Sequence, residues 1–230
     1  MGRQQAGVAS VAENLAAVRE RIEGALARAG RPPGSVLLVA VTKTQPPERI
    51  REAYEAGQRY FGENRVQEFE AKRPQLELAG ARWHLVGHLQ SNKARRAAQL
   101  FDVVETVDSV RLARRLHDAA AELGRRLPVL LEVKLSPEPT KAGCPEAEVE
   151  ALAREVAALP QLELRGLMTM PPYTENSEGA RPYFQRLRQW AARLGLAELS
   201  MGMTHDFEVA IEEGATIVRV GTAIFGERPG

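Results

Sequence analysis

Short apolar runs rich in β-branched residues alternate along this chain with longer stretches whose apolar positions recur every three to four residues. Val11, Leu15, Val18, Ile22 and Leu26 fall on one helical face. Ser10 and Glu13 have the spacing of a capping box just before that face. A helix is therefore predicted over about residues 10–29, closed by Gly30 and Pro32-Pro33-Gly34. Residues 36–42 form an apolar run of the kind a parallel strand buried on both faces requires. Further strands are predicted at 59–62, 83–88, 103–107, 128–134, 163–170, 199–202 and 217–221. Helical patterns lie between them, at about 64–73, 91–100, 109–123, 145–159, 178–194 and 206–213. Pro46 and Pro47 start one more helix, and Gly57 ends it.

Eight strand–helix beats with no long linker predict a closed parallel (β/α)8 barrel, the TIM-barrel architecture, as one domain over residues 1–230. Such a barrel needs roughly 200–250 residues, so the length suits it. No GxGxxG follows the first strand, which removes support for an open dinucleotide-binding sheet. Only nine residues follow Gly221, so the N-terminal helix is expected to cover the place of the last barrel helix. The net charge of +1, with both signs interleaved, argues against a nucleic-acid partner. A lone cysteine, Cys144, excludes a disulfide within the chain and suits a reducing, cytoplasmic setting. No apolar run approaches the roughly 18 residues of a membrane span, and the first ten residues lack the apolar core of a signal peptide.

Chemistry in α/β barrels sits at the C-terminal ends of the strands. That rule selects Lys43, Glu63, Asn64, His88, Gln90, Asp108, Lys134, Met170, Gly202 to Thr204, and Arg219 to Thr222. Lys43 closes an apolar strand. If buried, its amine would be held neutral and ready for Schiff-base chemistry; alternatively, it simply points to solvent beyond the strand. Two glycine-bearing turns, Ser200-Met201-Gly202-Met203-Thr204 and Arg219-Val220-Gly221-Thr222, follow the seventh and eighth strands. Barrels often build a phosphate site there, and glycines let backbone N–H groups approach a phosphate closely. Ser200, Thr204 and Thr222 add hydroxyls, and a helix beginning near Asp206 adds its N-terminus. The alternative is a pair of ordinary turns. Arg219, inside an apolar strand, needs a partner: a structural carboxylate or a ligand, with its place before the second turn favouring the ligand. Met168, Met170, Met201 and Met203 read as core and pocket lining. His84, His88, His117 and His205 show no ligand spacing, so no metal is expected, and Cys144 in a Pro/Gly-rich loop is a poor nucleophile candidate.

The strings AVTKTQP (40–46), FGENRVQE (61–68), WHLVGHLQSNK (83–93), RGLMTM (165–170) and SMGMTHDFEVAIEEGATIVRVGTAIFGER (200–228) resemble the pyridoxal phosphate homeostasis protein family. These proteins look like the barrel of fold-type III pyridoxal phosphate enzymes, alanine racemase among them, without the second domain. The resemblance implies that Lys43 holds pyridoxal 5'-phosphate as a Schiff base. It implies that Ser200, Met201, Gly202, Thr204, Gly221 and Thr222 surround the phosphate, and that Arg219 faces the pyridine nitrogen. Asn64 and His84 become pocket-wall candidates. It further implies a cytoplasmic, monomeric carrier rather than an enzyme, with pyridoxal phosphate-dependent apoenzymes as recipients. A racemase acting from the barrel alone is the alternative. The chain departs from the family pattern at His88, where proline is usual, at Gln45, often lysine, and at Thr204, often serine. Lys141 stands where the family carries a lysine suspected of a secondary role in cofactor transfer; a solvated loop lysine is the plainer reading.

Overall fold

The protein, seen as a computed structural model, is described here for residues 9–138 and 142–227. Lys141 lies outside the described residues. Helix α1 (Val11–Arg28) begins as its sequence dictates: Glu13 N–H donates to Ser10 Oγ, and Ser10 N–H donates to Glu13 Oε2 at 2.8 Å. The elements then alternate. They run β1 (Leu37–Val41), α2 (Pro47–Glu55), β2 (Tyr60–Glu63), α3 (Val66–Lys72), β3 (Arg82–Leu85), α4 (Ala94–Leu100), β4 (Val103–Val107) and α5 (Val110–Glu122). After these come β5 (Leu127–Lys134), α6 (Val149–Ala157), β6 (Leu162–Met168), α7 (Arg181–Leu194), β7 (Glu198–Ser200), α8 (Phe207–Glu212), β8 (Ile217–Val220) and α9 (Thr222–Phe225).

Every neighbouring pair of these strands is parallel, and β8 pairs back onto β1, with Val39 opposite Arg219, to close an eight-stranded barrel. This is the (β/α)8 fold that the alternating pattern predicts. The outer strand faces pack against the helices in one large apolar core. A separate apolar group, Val39, Val103, Leu130, Met168 and Ile217, fills the barrel interior. Along each strand the inward positions recur every second residue, which puts Lys43 and Arg219 on inward-facing rows.

Three strands stop two or more residues earlier than predicted. The third ends at Leu85, the sixth at Met168 and the seventh at Ser200. In the last case Gly202, at φ +96°, turns the chain. The short α9, which the apolar pattern does not reveal, takes up the end of the chain after β8. Helix α1 packs against α2, α8 and α9, so it does cover the position of a full last helix. Arg21 pairs with Glu208, Arg28 with Glu212, and Asn14 Nδ2 donates to the Ile224 carbonyl at 3.0 Å. Leu15, fully buried on this face, makes the packing testable. Leu15→Ala is expected to lower the free energy of unfolding by about 2–5 kcal/mol in a urea titration. A loss within about 0.5 kcal/mol, the range of an ordinary surface substitution, would mean that α1 is not an integral wall of the barrel.

Among the described residues no helix is long and apolar enough to cross a membrane, and no group of His, Cys, Asp or Glu could hold a metal ion. Cys144 is buried, and burial, followed by Glu148 and Asp108, pushes its thiol up to about 11, which suits a structural residue.

Candidate functional site

Lys43 stands two residues beyond the end of β1, at the C-terminal mouth of the barrel, and its side chain is exposed. Of the two alternatives at Lys43, a buried amine or one pointing out beyond the strand, the structure shows the second: β1 ends at Val41, and the inward row reaches open space by residue 43. The next residue, Thr44, has a φ of +62°, the only positive value for a non-glycine residue among those described. A β-branched residue there is strained by about 1–3 kcal/mol and needs its surroundings to hold it. The hold is an ionic brace from α3. Thr44 N–H donates to Glu68 Oε1, and Lys72 Nζ sits 2.6 Å from Glu68, 3.2 Å from buried Glu63 and 2.9 Å from the Thr42 carbonyl. Burial raises the Glu63 carboxyl, against the pull of Lys72 and of the Thr42 hydroxyl that donates to it at 2.6 Å. Glu68 and Lys72 escape a reading based on strand ends; their i,i+4 spacing on a predicted helix is the signal that marks them.

Lys43 opens into a cavity of about 270 Å³. Its other walls come from Val41 and Gln45 beside the lysine, Met203, Thr204 and His205 after β7, and Arg219, Gly221 and Thr222 at the end of β8. The Thr204 hydroxyl accepts a long bond, 3.4 Å, from Ala223 N–H, which ties the two turns together. The two glycines do different work. Gly202 is required by the protein itself: beyond its positive φ, an added Cβ would lie 2.6 Å from Ala210 Cβ and 2.8 Å from Phe207 Cα. At Gly221 an added Cβ would meet only Val41, at 3.4–3.5 Å, so the fold does not forbid a side chain. What its absence leaves is a clear approach to backbone from the cavity. Gly202→Ala is expected to destabilise the fold by roughly 1–3 kcal/mol, through left-handed strain plus overpacking, as read by thermal unfolding. An unchanged melting temperature would contradict that reading of the turn.

Arg219 forms the buried base of the cavity, 3% exposed. Its Nη1 donates to Ser200 Oγ and its Nη2 to the Thr169 carbonyl at 2.9 Å. Ser200 Oγ in turn donates to Glu105 Oε2, while Glu105 Oε1 lies 2.6 Å from His84 Nδ1. Glu105 is fully buried, and Arg219 Nη1 stands 4.0 Å from it. Burial pushes the Glu105 carboxyl up, but His84, Arg219 and Ser200 together outweigh it and hold the group below the usual carboxylate range. Burial lowers the Arg219 guanidinium, yet an arginine has enough reserve to remain charged. The residue thus has both of its expected partners, a structural carboxylate on one side and a ligand-sized space on the other.

The structure brings Lys43, Thr204, Arg219, Gly221 and Thr222 to one cavity. It does not bring the others there. Ser200 is buried beneath it, its hydroxyl donating to Glu105 and accepting from Arg219. Met201 is buried in the core and Gly202 shapes the turn from below, its carbonyl accepting from Arg219 N–H at 2.9 Å. His84 lines a different cavity, with Tyr60, Arg82 and Asp102, at the opposite mouth of the barrel. Asn64 lies in a groove with His88, Gln90 and Lys93 that shares no lining residue with the Lys43 cavity. His88 faces that groove, 3.5 Å from Asp108, so its departure from the family pattern leaves the cradle untouched. His205 is a cavity residue that the sequence reading did not assign.

The alanine racemase N-terminal domain family matches residues 13–229. A pyridoxal phosphate homeostasis protein of Aquifex aeolicus is 44% identical over 222 residues, covering 94% of this chain and 97% of that one. Its namesake in Escherichia coli K12 is 44% identical over 229 residues, 95% of this chain and 97% of its own length. Among solved structures, PipY of Synechococcus elongatus with pyridoxal phosphate bound superimposes with a TM-score of 0.85 at 44% identity, over 94% of this chain and all of that one. An alanine racemase of Clostridium difficile, 14% identical with a TM-score of 0.69, shares the fold over 57% of its own length. A barrel closed around a mouth lysine, with two glycine turns over a buried arginine and this degree of likeness across nearly the whole chain, belongs to the pyridoxal phosphate homeostasis protein family, whose shared module is the alanine racemase N-terminal domain.

Proposed function

We propose that this protein binds pyridoxal 5'-phosphate as a Schiff base on Lys43 and serves intracellular homeostasis of that cofactor without turning over a substrate. The observation that carries the reading is the convergence of one amine, two threonine hydroxyls, an open glycine and a buried guanidinium on a single cavity. The residues fit the group. Bound there, pyridoxal 5'-phosphate would supply an aldehyde for an amine, a pyridine ring and a phosphate dianion. Lys43 is exposed to the cavity and held by its braced loop, so its amine is placed to meet the aldehyde. Thr204 and Thr222 offer hydroxyl donors to the phosphate, and the bare Gly221 admits it to backbone. Arg219, kept charged and fixed by Glu105 and Ser200, faces the pyridine nitrogen in this reading. Such a partner donates a hydrogen bond and leaves the nitrogen unprotonated, which weakens the ring as an electron sink.

That last point supports a carrier over an enzyme, as does the naming of relatives matched over 97% of their length as homeostasis proteins. In this reading the protein acts in the cytoplasm as a monomer and passes its cofactor to apoenzymes. Thr204→Val combined with Thr222→Val is expected to weaken binding of the cofactor by at least roughly tenfold, since a hydrogen bond to a charged group contributes about 1.5–3 kcal/mol. Equilibrium dialysis reads this directly, and an affinity within twofold of the parent would remove the two hydroxyls from the phosphate site. Incubation of the loaded protein with L-alanine is expected to yield no D-alanine; sustained racemisation would replace the carrier with an enzyme.

A further inference from the structure

A second cavity, of about 300 Å³, lies beside the one Lys43 enters and shares Met203 and His205 with it. Its walls are chiefly apolar: Met170, Pro171 and Pro172 beyond β6, and Met203 beyond β7. Tyr173, 79% exposed, packs against His205 with ring centroids 5.4 Å apart and ring planes tilted by 35°, and forms an outer edge. In this apolar surround stands Glu132, from the C-terminal half of β5, 2% exposed. Its Oε2 is buried without a hydrogen-bond partner. Buried polar atoms of native proteins nearly always have one, so an orphaned carboxylate oxygen on a cavity wall points to a donor that arrives with a ligand.

The charge around it selects the donor. Burial and then Asp108 push the Glu132 carboxyl up to about 7, with Arg219 pulling the other way. Asp206 also lines the cavity, and burial raises it against the Met203 N–H that it accepts. Lys134 is the lining cation, and it has interactions of its own. An anion entering here would meet two carboxyls already crowded by a third. A cation would relieve that repulsion and supply the missing N–H.

We infer that this cavity is a binding site for a small organic cation, a protonated primary amine on an apolar carbon frame, whose ammonium is received by Glu132. The apolar walls take the carbon frame, and the size limits it to a small molecule. Binding requires the ionised carboxylate, so the fraction of Glu132 that is protonated at neutral pH gives up its proton as the amine enters. This site does not depend on the cofactor reading of the neighbouring cavity.

The test uses the cofactor-free protein, so that no aldehyde is present to react with an amine. Isothermal titration with n-butylamine hydrochloride is compared with 1-butanol, for the parent protein and for Glu132→Gln. The amine is expected to bind the parent roughly tenfold or more tightly than the alcohol, the scale of a hydrogen bond to a charged group. That preference is expected to vanish in Glu132→Gln, and titrations in buffers of different ionisation enthalpy are expected to show proton release by the parent. Should the variant fail to fold, the carboxyl carbon resonance of Glu132 in the parent takes its place, moving toward the ionised position on addition of amine. Equal affinity for amine and alcohol, a preference that survives in Glu132→Gln, an unmoved resonance, or no binding at millimolar amine would each overturn the inference.

Discussion

Glu105→Ala is expected to lower the free energy of unfolding by about 3–5 kcal/mol, the usual result of removing one partner from a buried charged set. At roughly 2–4 °C per kcal/mol for a chain of this size, the melting temperature should fall by about 6–20 °C. The reason lies in what is left behind. Glu105 joins His84 on one side to Ser200 and Arg219 on the other, fully buried inside the barrel. Without it, Arg219 keeps only the Ser200 hydroxyl and the Thr169 carbonyl as acceptors for a buried positive charge. Glu105→Gln keeps the shape and loses the charge, so it should fall between the two. Urea titrations of the three proteins measure the series; a loss below about 1 kcal/mol for alanine would show that the polar layer is not held by this carboxylate.

Lys43→Ala is expected to behave in the opposite way. The side chain is exposed and stands outside the Glu63–Glu68–Lys72 brace that fixes its loop, so stability should stay within about 0.5 kcal/mol of the parent. Covalent attachment of pyridoxal 5'-phosphate should disappear, together with the visible absorption that attachment produces. The phosphate groups of the cavity remain, so weak, reversible binding should persist and be detectable by dialysis. A variant that still takes up the cofactor covalently at this site would contradict the role of Lys43. Together the two substitutions separate the frame from the chemistry, one costing stability and the other costing the bond to the cofactor.

Much of the frame is legible in the sequence, because parallel strands buried on both faces stand out as apolar runs. The eight runs set the barrel, and the rule that chemistry gathers at strand ends picked Lys43, Thr204, Arg219, Gly221 and Thr222, which the structure places in one cavity. What failed has a common physical cause. Residue parity tells which side chains point inward, but not how high in the barrel they stand. His84, Ser200 and Arg219 all point inward; His84 lies toward the far mouth, Ser200 lies below the cavity floor, and only Arg219 reaches it. Height depends on the stagger between strands, which no single strand encodes. Glu105 was missed for the same reason: an acid inside an apolar strand has no stated partner until three other strands are laid beside it. The i,i+4 spacing of Glu68 and Lys72 marks the brace, but the strain it holds at Thr44 is a backbone angle that no residue pattern shows, and the Glu132 cavity escapes because an orphaned oxygen is defined only by its surroundings.

The central claim is that one lysine, Lys43, carries the cofactor. It is tested most directly by loading the protein with pyridoxal 5'-phosphate, reducing with borohydride and mapping the modified peptide by mass spectrometry. The expected result is a single labelled site at Lys43, with Lys134 and Lys141 unmodified at stoichiometric loading. Label on Lys141, Lys134 or any other lysine with Lys43 intact would contradict it.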